Sequence, residues 1–155
     1  MARRRVPVYW DYLEWALTSH AGETANYFDL RTGDVQSVGL GLLLGLDGAL
    51  SKGDIEAGLA AGHVIPVEPL PSSVEYGWMA DFTDSVAEPR LQEMLRVVLN
   101  GRGAFRRFKD VLGGFPEERT HWFAFREGRM RAAMLVWLAD HDLEPTAESA
   151  NREQE

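Results

Sequence analysis

Arginine and lysine crowd into one part of this chain, at Arg102, Arg106, Arg107 and Lys109, and again at Arg126, Arg129 and Arg131. A guanidinium is a planar fork of donors that meets a carboxylate or phosphate in two parallel hydrogen bonds, so this grouping points to recognition of an anion. Residues 100–139 hold eight basic and four acidic side chains, whereas the whole chain carries a net charge of −8. The positive region is therefore local, and it suits an acidic protein partner better than a nucleic acid, which a strongly basic whole would favour. Arg102, Arg106, Arg107, Lys109, Arg126 and Arg129 are the predicted contact residues, with Phe105 or Phe108 able to stack on a partner where exposed. The competing structural reading is that these cations form the solvated faces of amphipathic helices and pair internally with Asp81, Asp84 or Glu117.

Other chemistry finds little footing. With no cysteine, disulfides, thiolate catalysis and thiolate metal sites are excluded. His20, His63, His121 and His141 are scattered along the chain, and neither a metal site nor a cofactor is expected. A nucleophile elbow of the G-x-S-x-G type is absent. The stretch Gly39 to Gly48 is glycine-rich and follows a predicted strand, but its third glycine comes one residue late for a dinucleotide fingerprint, and no Gly-Lys-Ser/Thr follows. It reads as an apolar connector. Carboxylate pairs such as Asp81 with Asp84, or Glu117 with Glu118, are explained by helix faces and by the positive end of a helix dipole. No catalytic residue is nominated, and an enzyme with an unrecognised pocket ranks third, behind an interaction module and a nucleic-acid-binding protein.

The elements that must position the cations follow from hydrophobic spacing. Ala104, Phe105, Phe108, Val111 and Leu112 recur at helical intervals after Gly103, predicting a short amphipathic helix that Gly113 and Gly114 end through positive φ. Pro116 suits the first turn of the next helix, where Glu117 and Glu118 meet the dipole. That helix is expected to bury Phe123, Met130, Met134, Trp137 and Leu138, with Trp122, Phe125 and Ala133 on an adjoining strip. A kink or break is possible at Gly128, and Trp137 is expected to act as a buried anchor.

Upstream, Val8, Trp10, Leu13, Trp15, Ala16 and Leu17 predict an N-terminal helix between Pro7 and Ala21-Gly22. Asn26–Leu30 and Val35–Val38 flank a turn at Arg31–Asp34 and predict a hairpin; His63–Val67 predicts a third strand, placed at an edge by Pro66. A helix from Ser51 to Ala61, ended by Gly62, lies between them. Ser72-Ser73-Val74-Glu75 predicts a capping box opening a helix that presents Met79, Phe82 and Val86, and Pro89–Asn100 predicts another through Leu91, Met94, Leu95, Val98 and Leu99. Trp10, Trp15, Trp78, Trp122 and Trp137 are assigned to packing. The fold class is α+β: a small antiparallel sheet, hairpin plus a third short strand, packed on a C-terminal helical bundle. Residues 1–143 are expected to form a single globular domain and 144–155, with no large apolar side chain, a disordered acidic tail.

At 155 residues with 26% charged side chains, and with no apolar run near the length of a bilayer span, the chain reads as soluble with no membrane partner. The basic start MARRRVPVYW lacks an apolar signal region, and a cytoplasmic address is expected. Tyr27–Leu30 with Thr32–Val35, Ile65–Val67, Met79–Phe82, the run Gly103–Leu112, Trp122-Phe123 and Trp137-Leu138 together resemble a bacterial family known as uncharacterised protein family 0158. The resemblance runs from the hairpin to Pro145, is most specific at Gly103–Leu112, and leaves the acidic tail outside. It implies a soluble bacterial protein and supplies no catalytic residue. The function expected from the residues is a non-enzymatic interaction or regulatory module with 102–109 as its contact face.

Overall fold

The computed structural model describes residues 3–18, 25–38 and 52–146, with the side chains of residues 38 and 52–55 left aside. The expected helix end at Ala21-Gly22, the connector at 39–48, the Ser51 cap, His20 and the tail from 147 onward lie outside the described residues. In chain order the elements are β1 (Arg4–Val6), α1 (Trp10–Thr18), β2 (Ala25–Asp29), β3 (Val35–Val38), α2 (Lys52–Ala61), β4 (Val64–Val67), α3 (Ser72–Ser85), α4 (Pro89–Leu99), α5 (Ala104–Leu112), α6 (Pro116–Asp140) and β5 (Leu143–Pro145). The class is α+β, as the hydrophobic spacing predicts. The chain's contacts group into two compact units, residues 1–70 with 133–155, and residues 71–132.

In the first unit β2 is central and both neighbours run antiparallel to it, giving the order β3-β2-β4 with Phe28 opposite Val35 and Ile65. The hairpin and its third strand are those expected, and Pro66 sits on an outer strand, where a missing N–H costs no ladder bond on the open side. The turn is made by Asp29 and Gly33. An Asp29 carboxylate oxygen accepts from the Arg31 N–H at 2.8 Å, and the Gly33 N–H donates to the Asp29 carbonyl at 2.8 Å. Gly33 has φ +79°, and a Cβ there would stand 2.6 Å from the Pro7 carbonyl oxygen, so both conformation and space demand glycine. Phe28 is fully buried and meets Trp137 edge-to-face at 5.6 Å. Trp137 is only half-buried, so it is a rim contact of that ring pair rather than the expected buried anchor.

A second, two-stranded sheet pairs β1 with β5 in parallel, Arg4 opposite Leu143, and the Thr146 N–H continues it by donating to the Val6 carbonyl at 2.9 Å. Val6 and Leu143 are buried. On α1, Leu13, Ala16 and Leu17 are buried while Trp15 is 49% exposed, which removes that ring from the core assigned to it.

The second unit is built from α3, α4, α5 and the turns of α6 up to residue 132. Its centre is an aromatic cluster: Phe82 from α3, Phe108 from α5, and Trp122 and Phe125 from α6, with centroids 5.0–6.4 Å apart. The edge-to-face pairs among them, Phe82–Phe108, Phe82–Trp122 and Phe108–Trp122, each add about 0.5–1.5 kcal/mol beyond the area they bury. Tyr76 donates its hydroxyl to the Leu99 carbonyl at 2.7 Å, tying α3 to the end of α4. Glu88 caps α4, its carboxylate accepting from the N–H groups of Arg90 and Leu91, with Pro89 in the first turn.

Three local expectations give way here. The capping box does not form: α3 begins at Ser72 itself with Pro71 as its cap and no side-chain bond, so the serines are already helical and Glu75 is engaged elsewhere. Gly113 ends α5 in the right-handed region at φ −57°, and the positive φ belongs instead to Gly103, at +67°, which starts that helix. Phe123 is 52% exposed. The buried line of α6 is Trp122, Met130, Met134 and Leu138, a ridge at four-residue intervals, and Phe123 lies one residue, about 100°, off it. The helix runs unbroken through Gly128.

Candidate functional site

The basic face is organised by α5. Gly103 turns the chain after α4, its carbonyl accepting from the Arg107 N–H at 2.9 Å. From there Phe108 and Leu112, four residues apart, are buried to 0% and 1%, which leaves Arg106, Arg107, Lys109 and Asp110 on the exposed side and Arg102 exposed in the preceding turn. Arg106 reaches Asp110 only at 4.0 Å, with both side chains largely in solvent. An exposed pair of this kind, with the cation N-terminal to the acid, is the weaker arrangement and contributes a few tenths of a kcal/mol at most. Among the described residues, Arg102, Arg107 and Lys109 have no ion-pair partner within 4.0 Å; the Arg107 guanidinium lies back over Gly101.

The other two nominated residues behave differently. Arg126 Nε donates to Glu75 Oε1 at 2.8 Å, with both side chains about three-quarters buried. Arg129 Nη1 donates to Asp81 Oδ2 at 3.1 Å, and its guanidinium stands over the Phe125 ring at 4.7 Å. Both pairs bind α6 to α3. The sign was legible in spacing: Arg126 occupies the four-residue ridge between Trp122 and Met130, where a cation is desolvated and requires a partner. Asp81 is an internal partner, as the charge pattern predicts; Glu75 pairs with Arg126 rather than capping α3, and Asp84 takes Arg96, at 3.5 Å. The structure thus keeps four of the six nominated cations on one face, Arg102, Arg106, Arg107 and Lys109, and commits Arg126 and Arg129 to packing within the unit.

Among the described residues no three histidines, aspartates or glutamates are grouped to hold a metal ion. Glu118 and His121, three residues apart on α6, approach at 3.4 Å as an exposed pair. No described helix is long and apolar enough to cross a membrane.

Comparison with known proteins agrees with the resemblance carried by the hairpin and the Gly103–Leu112 run. The chain is 33% identical over 85 residues to a UPF0158 protein of Pseudomonas aeruginosa, a match that covers 55% of this chain and 56% of that relative. No solved structure matches. The family model for the uncharacterised protein family UPF0158 matches residues 18–153 and so takes in most of the acidic tail, which lies outside the resemblance carried by the quoted motifs. With Gly103–Leu112 now seen to form the helix that carries the basic face, this chain belongs to the uncharacterised protein family UPF0158.

Proposed function

We propose that this chain is a non-enzymatic, cytoplasmic interaction or regulatory module that takes an acidic protein segment on the face formed by Arg102, Arg106, Arg107 and Lys109. The observation that carries the reading is the division of labour among the cations. Arg126 and Arg129 are held by acids of their own unit, at 2.8 and 3.1 Å, while among the described residues three of the four on the α5 face have no such partner and the fourth has only a solvent-screened one. Unpaired cations on the outer side of a helix whose inner side is sealed contribute little to stability, so their selective value lies in contact.

Charge reversal tests this. A fluorescent oligoglutamate peptide is titrated against the protein and against the double variant Arg106→Glu/Arg107→Glu, following anisotropy from low to physiological salt. Wild-type binding that weakens about tenfold or more in the variant supports the reading. Equal binding by both proteins removes it. A labelled single-stranded oligonucleotide and a duplex run in parallel decide the alternative: tighter binding to either, with a steep salt slope, would make nucleic acid the ligand.

A further inference from the structure

We infer that the cleft between the end of α5 and the first turns of α6 receives a carboxylate flanked by an aromatic side chain, so that the partner's docking segment is acidic and aromatic rather than acidic alone. The inference rests on the α5 face being the contact surface, and it names what that surface selects.

The cleft has a volume of about 400 Å³, enough for one or two side chains, and lies wholly within residues 71–132. Leu112 and Gly113 form its α5 wall, and Trp122 and Phe123 its α6 wall. Two cations stand at it, Lys109 from the basic face and Arg119 from α6, against a single carboxylate, Asp110, which also approaches Arg106. The balance at the cleft is positive on a chain of net charge −8, and that complementarity selects an anion.

Two features make the pocket more than a charged dent. Phe123 is 52% exposed although it belongs to a helix whose ridge buries its immediate neighbour, and the Arg119 guanidinium stands over its ring at 5.3 Å. A ring topped by a cation offers an aromatic surface and a carboxylate fork within one side chain's reach of each other. Trp122 is 1% exposed, and its indole N–H has no acceptor. A buried donor left unmade costs about 1–3 kcal/mol, offset only weakly by the neighbouring ring faces. Trp122 also lines the cleft, so its indole reports on what enters there. Acid for Arg119 and Lys109 and a ring against Phe123 together describe an acidic-aromatic segment.

Two probe peptides separate this from the parent reading: oligoglutamate, and the same peptide with one central phenylalanine. The expected result is that wild-type protein binds the phenylalanine peptide about tenfold tighter, a gain of one well-buried ring contact. Phe123→Ser should erase that preference while leaving oligoglutamate binding, and hence the fold, intact, whereas Arg119→Gln should weaken binding of both peptides. The Trp122 indole N–H resonance, assigned with Trp122→Phe, should move on addition of the phenylalanine peptide. Equal binding of the two peptides, a preference that survives in Phe123→Ser, or an unmoved Trp122 resonance overturns the cleft while oligoglutamate binding by the α5 face stands. If neither peptide binds, or an oligonucleotide outcompetes both, the parent reading fails and the cleft inference with it.

Discussion

Replacing Arg126 should cost the protein several times what replacing Arg106 costs, although the two look alike in the sequence. Arg126 and Glu75 each retain about a quarter of their side-chain exposure and meet at 2.8 Å. Exposed ion pairs are worth about 0.2–1 kcal/mol, whereas breaking a fully buried one costs about 3–5 kcal/mol. At this degree of burial the loss lies between those limits, near the range of about 1.5–3 kcal/mol for a hydrogen bond to a charged group. Arg126→Met keeps the alkyl stem packed and removes the charge, so about 2 kcal/mol is expected, or a fall in Tm of roughly 4–8 °C for a chain of this size. Arg129→Met, whose pair with Asp81 is about half exposed, should lose about 0.5 kcal/mol, and Arg106→Met less still. Urea denaturation followed by tryptophan fluorescence gives all three values. Because Arg126 touches more than Glu75, a double-mutant cycle with Glu75→Gln isolates that pair, and a coupling of about 1–2 kcal/mol is expected. Equal losses for Arg126→Met and Arg106→Met would refute the sorting of the cations, and with it the argument that only the α5 face is spare.

Two glycines should respond in opposite directions. Gly33→Ala adds a Cβ 2.6 Å from the Pro7 carbonyl oxygen at φ +79°, combining left-handed strain with a backbone clash, and should destabilise by about 2–4 kcal/mol in the same urea assay; a loss below about 1 kcal/mol would show that the turn relaxes freely. Gly128→Ala lies inside α6, exposed, with nothing within 4 Å of the new methyl group, and should stabilise by about 1 kcal/mol, seen as a Tm higher by roughly 2–4 °C; a fall in Tm would mean that the glycine serves a packing or bending role.

What the sequence determined by itself is whatever lies within one or two turns of helix or one hairpin. The α5 pattern, the Asp29–Gly33 turn, the edge position of Pro66 and the acidic first turn of α6 are all local, and each appears as the residue types require. Local signals also misled where two readings competed for the same few residues. Pro71 displaced the capping box because its fixed φ suits the residue before a helix, and the exposure of Phe123 follows from a one-residue difference in the phase of a long helix. Tertiary structure alone decided the rest. The β1–β5 pair joins segments 139 residues apart, through strands of three residues each, too short for either to show a periodicity. Glu75 and Arg126 are separated by 51 residues, so whether that arginine faces a partner molecule or its own fold depends on how α3 and α6 pack. Charge type is written in the sequence, but the desolvation that turns a charge into a structural tie exists only once the helices have come together.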